Sequence, residues 1–252
     1  MIPPTATPEL LAPMAATAGA RRPSWTARDL AWVTALQILA FLFMAAFAVV
    51  VSGGRPPTWM TPADIGLGIT IATTVFTGIS FVIVWHRIIR RRAGSWREIG
   101  FHSAGWRPLV LALAATVALL GFSLLLSLSG PVFVGPLPDP TRSVIHPMRL
   151  AQYLFGAAVL TPLGEEMYFR GLLFRSLRSR LSAPAAILIT SLAFVAVHPW
   201  LWLTWSVLGI FALGLLCAGL VERTSSLLPG MVLHAGFNAG LVLVSLLKAK
   251  LA

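Results

Sequence analysis

Two adjacent carboxylates, Glu165 and Glu166, stand inside an apolar stretch, TPLGEEMYFRG at residues 161–171, and Arg170 follows them at helical spacing. Ionisable groups at membrane depth are costly, so they read first as functional. The other acidic residues, Glu9, Asp29, Asp64, Glu98, Asp139 and Glu222, fall in tails, loops or span ends. Two more apolar segments carry polar groups: FVAVH, ending in His198, and HAGFN, running from His234 to Asn238. Phe194 and His198 share one helix face, as do His234 and Asn238, because residues four apart in a helix are neighbours.

Successive residues of a helix point about 100° apart, so Glu165 and Glu166 cannot face the same way. Glu166 precedes Arg170 by four residues, the favourable order for an ion pair. Glu165 is then left to face His198 and His234. At 1.5 Å per residue, Glu165 comes out about 15 Å, His198 about 20 Å and Asn238 about 13 Å from the inner ends of their helices. His234 comes out shallower, at about 7 Å, unless the connection at 222–230 dips into the bilayer. Each group also has a structural reading. A helix-face histidine can be a hydrogen-bonded packing residue, Glu166–Arg170 a helix-packing ion pair, and Phe194 a ring packed beneath His198. His86, His102 and His146 lie in loops or at span ends and receive no role.

The elements that must position these residues are membrane helices. The chain is 57% apolar and 11% charged over 252 residues, with a mean hydropathy of +0.84, a composition that excludes an ordinary soluble domain. Its net charge of +11 comes from arginines clustered between apolar spans, the positive-inside pattern, rather than from a nucleic-acid surface. Residues 1–29 read as a disordered tail. Spans are expected at 30–51, 63–85, 108–128, 150–174, 183–198, 203–221 and 229–247. The basic loop after residue 85 lies inside and the Pro/Gly-rich loop at 129–147 outside. The expected fold is an all-α, polytopic transmembrane bundle of about seven to eight helices with a cytoplasmic N-terminus. Residues 30–148 form its N-terminal helices, and 149–252 form the part that carries the glutamates, His198, His234 and Asn238. Cys217 is the only cysteine, which rules out an intrachain disulfide, and it reads as a small core residue. Other intramembrane chemistries lack their motifs: the chain has no HExxH, no GxGD and no GxSG.

EEMYFRG, FVAVH and HAGFN resemble the EExxxR, FxxxH and HxxxN motifs of the CAAX-protease and bacteriocin-processing (Abi) family, which includes the type II CAAX prenyl endopeptidases. The resemblance covers roughly 150–247. It implies an intramembrane endopeptidase with a cavity open to the cytoplasm. Glu165 would be the general base on water, oriented with His198, while His234 and Asn238 would hold the scissile carbonyl and its oxyanion. Glu166 and Arg170 would support them. It leans towards catalysis without a cofactor. Zinc held by Glu165, His198 and His234 is the alternative, since His₂Glu with an open position is a catalytic zinc set. The implied partners are a peptide or protein substrate at the membrane and the lipid bilayer, with no nucleic acid. The arginine- and alanine-rich composition points to a bacterial plasma membrane, where leader sequences, small secreted peptides or membrane-protein tails are better substrates than prenylated proteins. A non-catalytic immunity or partner-binding protein is the competing class.

Overall fold

The computed structural model describes residues 22–51, 74–92, 94–129, 151, 154–198 and 204–251. These form eight helices and no strand: α1 (Ala27–Val51), α2 (74–92), a short α3 (Trp96–Ile99), α4 (Trp106–Ser129), α5 (154–178), α6 (Ala183–Ala196), α7 (Ser206–Thr224) and α8 (Leu228–Leu251). Among the described residues, two helices are long and apolar enough to cross a membrane, at Trp106–Leu128 and Ser206–Thr224. Apart from Ser129, which ends α4, the outer loop expected at 129–147 lies outside the described residues, as do the start of the second span, the proline after His198 and residues 1–21.

The helix ends depart from the sequence expectation for local reasons. The first helix begins at Ala27 because Thr26 and Asp29 form a capping box. The Thr26 N–H donates to Asp29 Oδ2 (2.9 Å), and the Asp29 N–H donates to Thr26 Oγ1 (3.3 Å), so two otherwise orphaned donors are satisfied. Trp25, just ahead of the cap, is buried and packs in the same cluster as Leu30, as a hydrophobic staple does. Part of the expected tail is therefore ordered. The second helix continues past Trp85, through a π-helical stretch at Trp85–Arg90, to Arg92. Its Ile88 is fully buried, so the arginine-rich segment is held as a helix by one apolar face.

The arginine-rich ends gather at one end of the bundle. Arg92 Nε pairs with Asp29 (2.9 Å), and Arg178 Nε donates to both oxygens of Glu222 (3.1 Å each). Arg175 donates through Nε to Ile99 O (3.0 Å) and through Nη2 to Ser225 O (2.6 Å). Burial lowers the Arg175 pKa, and Glu98 partly offsets that. Burial raises the Asp29 pKa, but hydrogen bonds from the Thr26 backbone and hydroxyl, with the Arg92 guanidinium, outweigh it and hold the carboxyl below its ordinary range. α3 ends on Gly100 at φ +118°, a left-handed cap that glycine takes without strain. The Leu227 N–H donates to Gly100 O (2.9 Å), which ties the start of α8 to this clasp.

Two apolar clusters fill the interior. One joins α1, α2, α3, the C-terminal half of α5 and the α7–α8 turn, with Met167, Leu172 and Leu227 fully buried. The other joins α4, α6, α7 and α8 around Phe194, Leu213 and Leu233. The α5 segment that carries both glutamates runs between them.

Candidate active site

The first irregular stretch of α5 lies just before Pro162. A proline inside a helix lacks an N–H and clashes with the carbonyl four residues earlier, here that of Ala158. The chain relieves this by widening. Phe155–Leu160 is π-helical, and the Thr161 N–H donates to Gly156 O, five residues back. An α-helical turn at Thr161–Glu166 follows and then a second π-helical stretch, Met167–Phe174. π-helical turns are uncommon and concentrate at functional sites. The two glutamates sit in the short regular turn between two such stretches.

Their environments are opposite. Glu166 and Arg170 are both fully buried, with Arg170 Nη1 donating to Glu166 Oε1 at 2.9 Å. Arg170 Nη2 donates to Gly214 O in α7 (3.2 Å), and its guanidinium lies over the Phe194 ring, 4.5 Å from the centroid. The second Glu166 oxygen, Oε2, has no hydrogen-bond partner. It faces Gly230 of α8, where an added Cβ would lie 3.2 Å from it and 3.7 Å from Cys217 Cβ. Glycine at 230 therefore lets α8 come close to the buried carboxylate. Glu165 is 23% exposed and turns the other way, its Oε1 3.9 Å from His198 Nε2 and its Oε2 3.6 Å from His234 Nε2.

Both histidines have their Nδ1 engaged. His198 follows the last turn of α6 and its Nδ1 donates back to Phe194 O (2.7 Å), in the manner of a side chain that closes a helix C-terminus. His234 Nδ1 donates to Glu166 Oε1 (3.0 Å). His234 thus stands between the two glutamates, one at each ring nitrogen. A carbonyl or carboxylate oxygen only accepts, so both Nδ1 atoms carry hydrogen. In the neutral rings Nε2 is then an acceptor, and His234 Nε2 becomes a donor only with a second proton. Phe194 packs edge-on against both rings, 4.9 Å from His198 and 5.7 Å from His234 between centroids. Asn238, one turn beyond His234, donates from Nδ2 to Ala157 O in α5 (2.8 Å).

The structure thus brings Glu165, Glu166, Arg170, Phe194, His198 and His234 together, while Asn238 is bound to the same helix further along. His234 comes level with both glutamates, and Gly230 leaves room for α8 to approach the buried carboxylate. Sequence reasoning missed the His234–Glu166 bond and the consequence of Pro162. Only the proline within an apolar span could have signalled the second. Of the possible metal donors, Glu165, His198 and His234 have zinc-like chemistry. Yet among the described residues no three His, Cys, Asp or Glu side chains are grouped closely enough to hold an ion as they stand. Cys217 is buried, with its thiol towards Gly230 O (3.5 Å).

Residues 147–240 match the family model of the Rce1-like type II CAAX prenyl endopeptidases. All the polar groups just described lie within the matched span. No curated protein and no solved structure matches the chain.

Proposed function

We propose that the chain is an intramembrane endopeptidase that hydrolyses a peptide bond in a membrane-associated or secreted peptide or protein. The observation that carries this reading is the Glu165 carboxylate flanked by two imidazole nitrogens at 3.6 and 3.9 Å. These distances are too long for direct hydrogen bonds, and they let a water touch both the carboxylate and an imidazole. Glu165 takes a proton from that water while His198 Nε2 accepts its other hydrogen. The oxygen bonds to the scissile carbonyl carbon. The resulting oxyanion is met by an Asn238 amide hydrogen and, when His234 carries its second proton, by His234 Nε2–H. The C–N bond then breaks, and Glu165 returns its proton to the leaving amine. Glu166 and Arg170 hold His234 without touching substrate. The gathered arginines support a cytoplasmic setting for this end of the bundle and for the N-terminus. A bacterial plasma membrane and unprenylated peptide substrates fit the composition.

The engaged Nδ1 atoms favour a second, metal-assisted reading, because neutral rings then present both Nε2 lone pairs towards Glu165, as zinc ligands do. Spacing favours the metal-free form. The test uses purified protein in lipid nanodiscs with prenylated CAAX peptides and unprenylated leader peptides as probes, and mass spectrometry of the products. Wild type should cleave at least one probe, and Glu165→Gln should lower the rate roughly 10²–10⁴-fold. Equal inactivity of both proteins on all probes would favour the non-catalytic class. Stoichiometric zinc, with activity lost to a chelator and restored by the ion, would make Glu165, His198 and His234 ligands instead.

A further inference from the structure

We propose that Pro162 is a positioning residue that fixes the Asn238 side chain. In the π-helical turn of α5 each carbonyl takes the N–H five residues ahead, as Gly156 O takes that of Thr161. The next carbonyl, Ala157 O, would take the N–H of residue 162, and proline has none. A carbonyl away from water needs a donor. Asn238 supplies it from α8, with Nδ2 2.8 Å from Ala157 O. Because a carbonyl only accepts, this contact also decides which end of the amide points at α5. One amide hydrogen is spent on Ala157, and the other is aimed by the anchor. The same proline stands three residues before Glu165, so one residue sets both the restart of the regular turn under the base and the orientation of the amide. The catalytic consequence rests on the endopeptidase reading, in which the second amide hydrogen meets the oxyanion. The anchor itself does not.

A double-mutant cycle separates the two. Pro162→Ala restores an N–H at position 162, so thermal stability in nanodiscs should hold or rise. Asn238→Ala strands Ala157 O in the wild-type background and should lower Tm by roughly 2–10 °C. In the Pro162→Ala background the same change should cost less than half as much. Strictly additive Tm losses would overturn the anchor. On any probe peptide that wild type cleaves, Pro162→Ala should lower kcat roughly tenfold with KM little changed, and Asn238→Ala should add little on top. Wild-type kcat in Pro162→Ala would overturn the positioning role. If wild type cleaves no probe, the endopeptidase reading fails while the Tm cycle still decides the anchor. Should Pro162→Ala not fold, Asn238→Leu, which fills the space but cannot donate, must lose as much Tm as Asn238→Ala; wild-type Tm in that variant overturns the proposal.

Discussion

Glu165 and Glu166 are neighbours in sequence and opposites in the structure. Glu166 is sealed, with Arg170 and His234 both donating to its Oε1. Glu165 remains partly exposed, with imidazole nitrogens 3.6 and 3.9 Å from its carboxylate. The cause is the roughly 100° turn between successive helical residues, which sends one carboxylate into the α7–α8 packing and the other towards the histidines. The sealed half cannot do without its partners, because an isolated charge in such a place is far more costly than a paired one. The open half can exchange one polar partner for another. In the proposed hydrolysis the mobile proton and the rigid imidazole are divided between these adjacent side chains.

That contrast breaks first at Arg170. Arg170→Ala leaves Glu166 with a single donor and should cost about 3–5 kcal/mol, seen as lost folded yield and a collapsed melting transition. Glu165→Gln removes a charge from the open half and should leave stability within about 0.5 kcal/mol of wild type. Equal losses in the two variants would mean that the halves are not energetically distinct.

A smaller change sharpens where the halves meet. Phe194 is the shared wall, with its ring edge-on to His198 and His234 and under the Arg170 guanidinium. Phe194→Leu keeps an apolar filler but loses the aromatic contacts. It should cost about 1–2 kcal/mol and lower cleavage as well, through both histidines. Thermal melts and initial rates on one probe peptide check this. Unchanged rates with lowered stability would reduce Phe194 to packing.

Much of this arrangement was legible in the residues, because helical spacing is local. The four-residue step from Glu166 to Arg170 and the opposed directions of Glu165 and Glu166 follow from the rotation per residue alone. The division into apolar helices follows from hydropathy. What stayed hidden depends on where helices touch. The His234 Nδ1 bond to Glu166 requires Gly230 to admit α8 against α5, and nothing in the spacing of HAGFN indicates that approach. Depth counted from the helix start put His234 shallower than Glu165, whereas their contact puts the two side by side. Two signals were present in the residues and went unused. Thr26 and Asp29 have the spacing of a capping box, yet they fall inside the expected tail. Pro162 interrupts an apolar span, yet an even helix was expected through it.

The smallest expected effect concerns a second acid–base pair, at the wet end of the bundle, and it calibrates the dry one. Asp29 and Arg92 lie 2.9 Å apart, as close as Glu166 and Arg170, but the Arg92 side chain is 42% exposed where Arg170 is fully buried. Solvent screens such a pair, so it contributes about 0.2–1 kcal/mol, and more salt should weaken it. The Asp29 carboxyl is held below its ordinary pKa despite burial. A depressed folded-state value means that the unfolded chain binds the proton first. The contribution is therefore complete above the ordinary aspartate range near pH 4 and is lost as pH falls through the lower folded value. Melts of wild type and Asp29→Asn should differ by a few degrees at pH 7, and the gap should narrow as pH falls from about 4 towards 3. A gap that stays constant with pH would assign the effect to the shape of the cap and not to the ionised carboxylate. A gap as large as that produced by Arg170→Ala would show that burial is not what separates the two pairs.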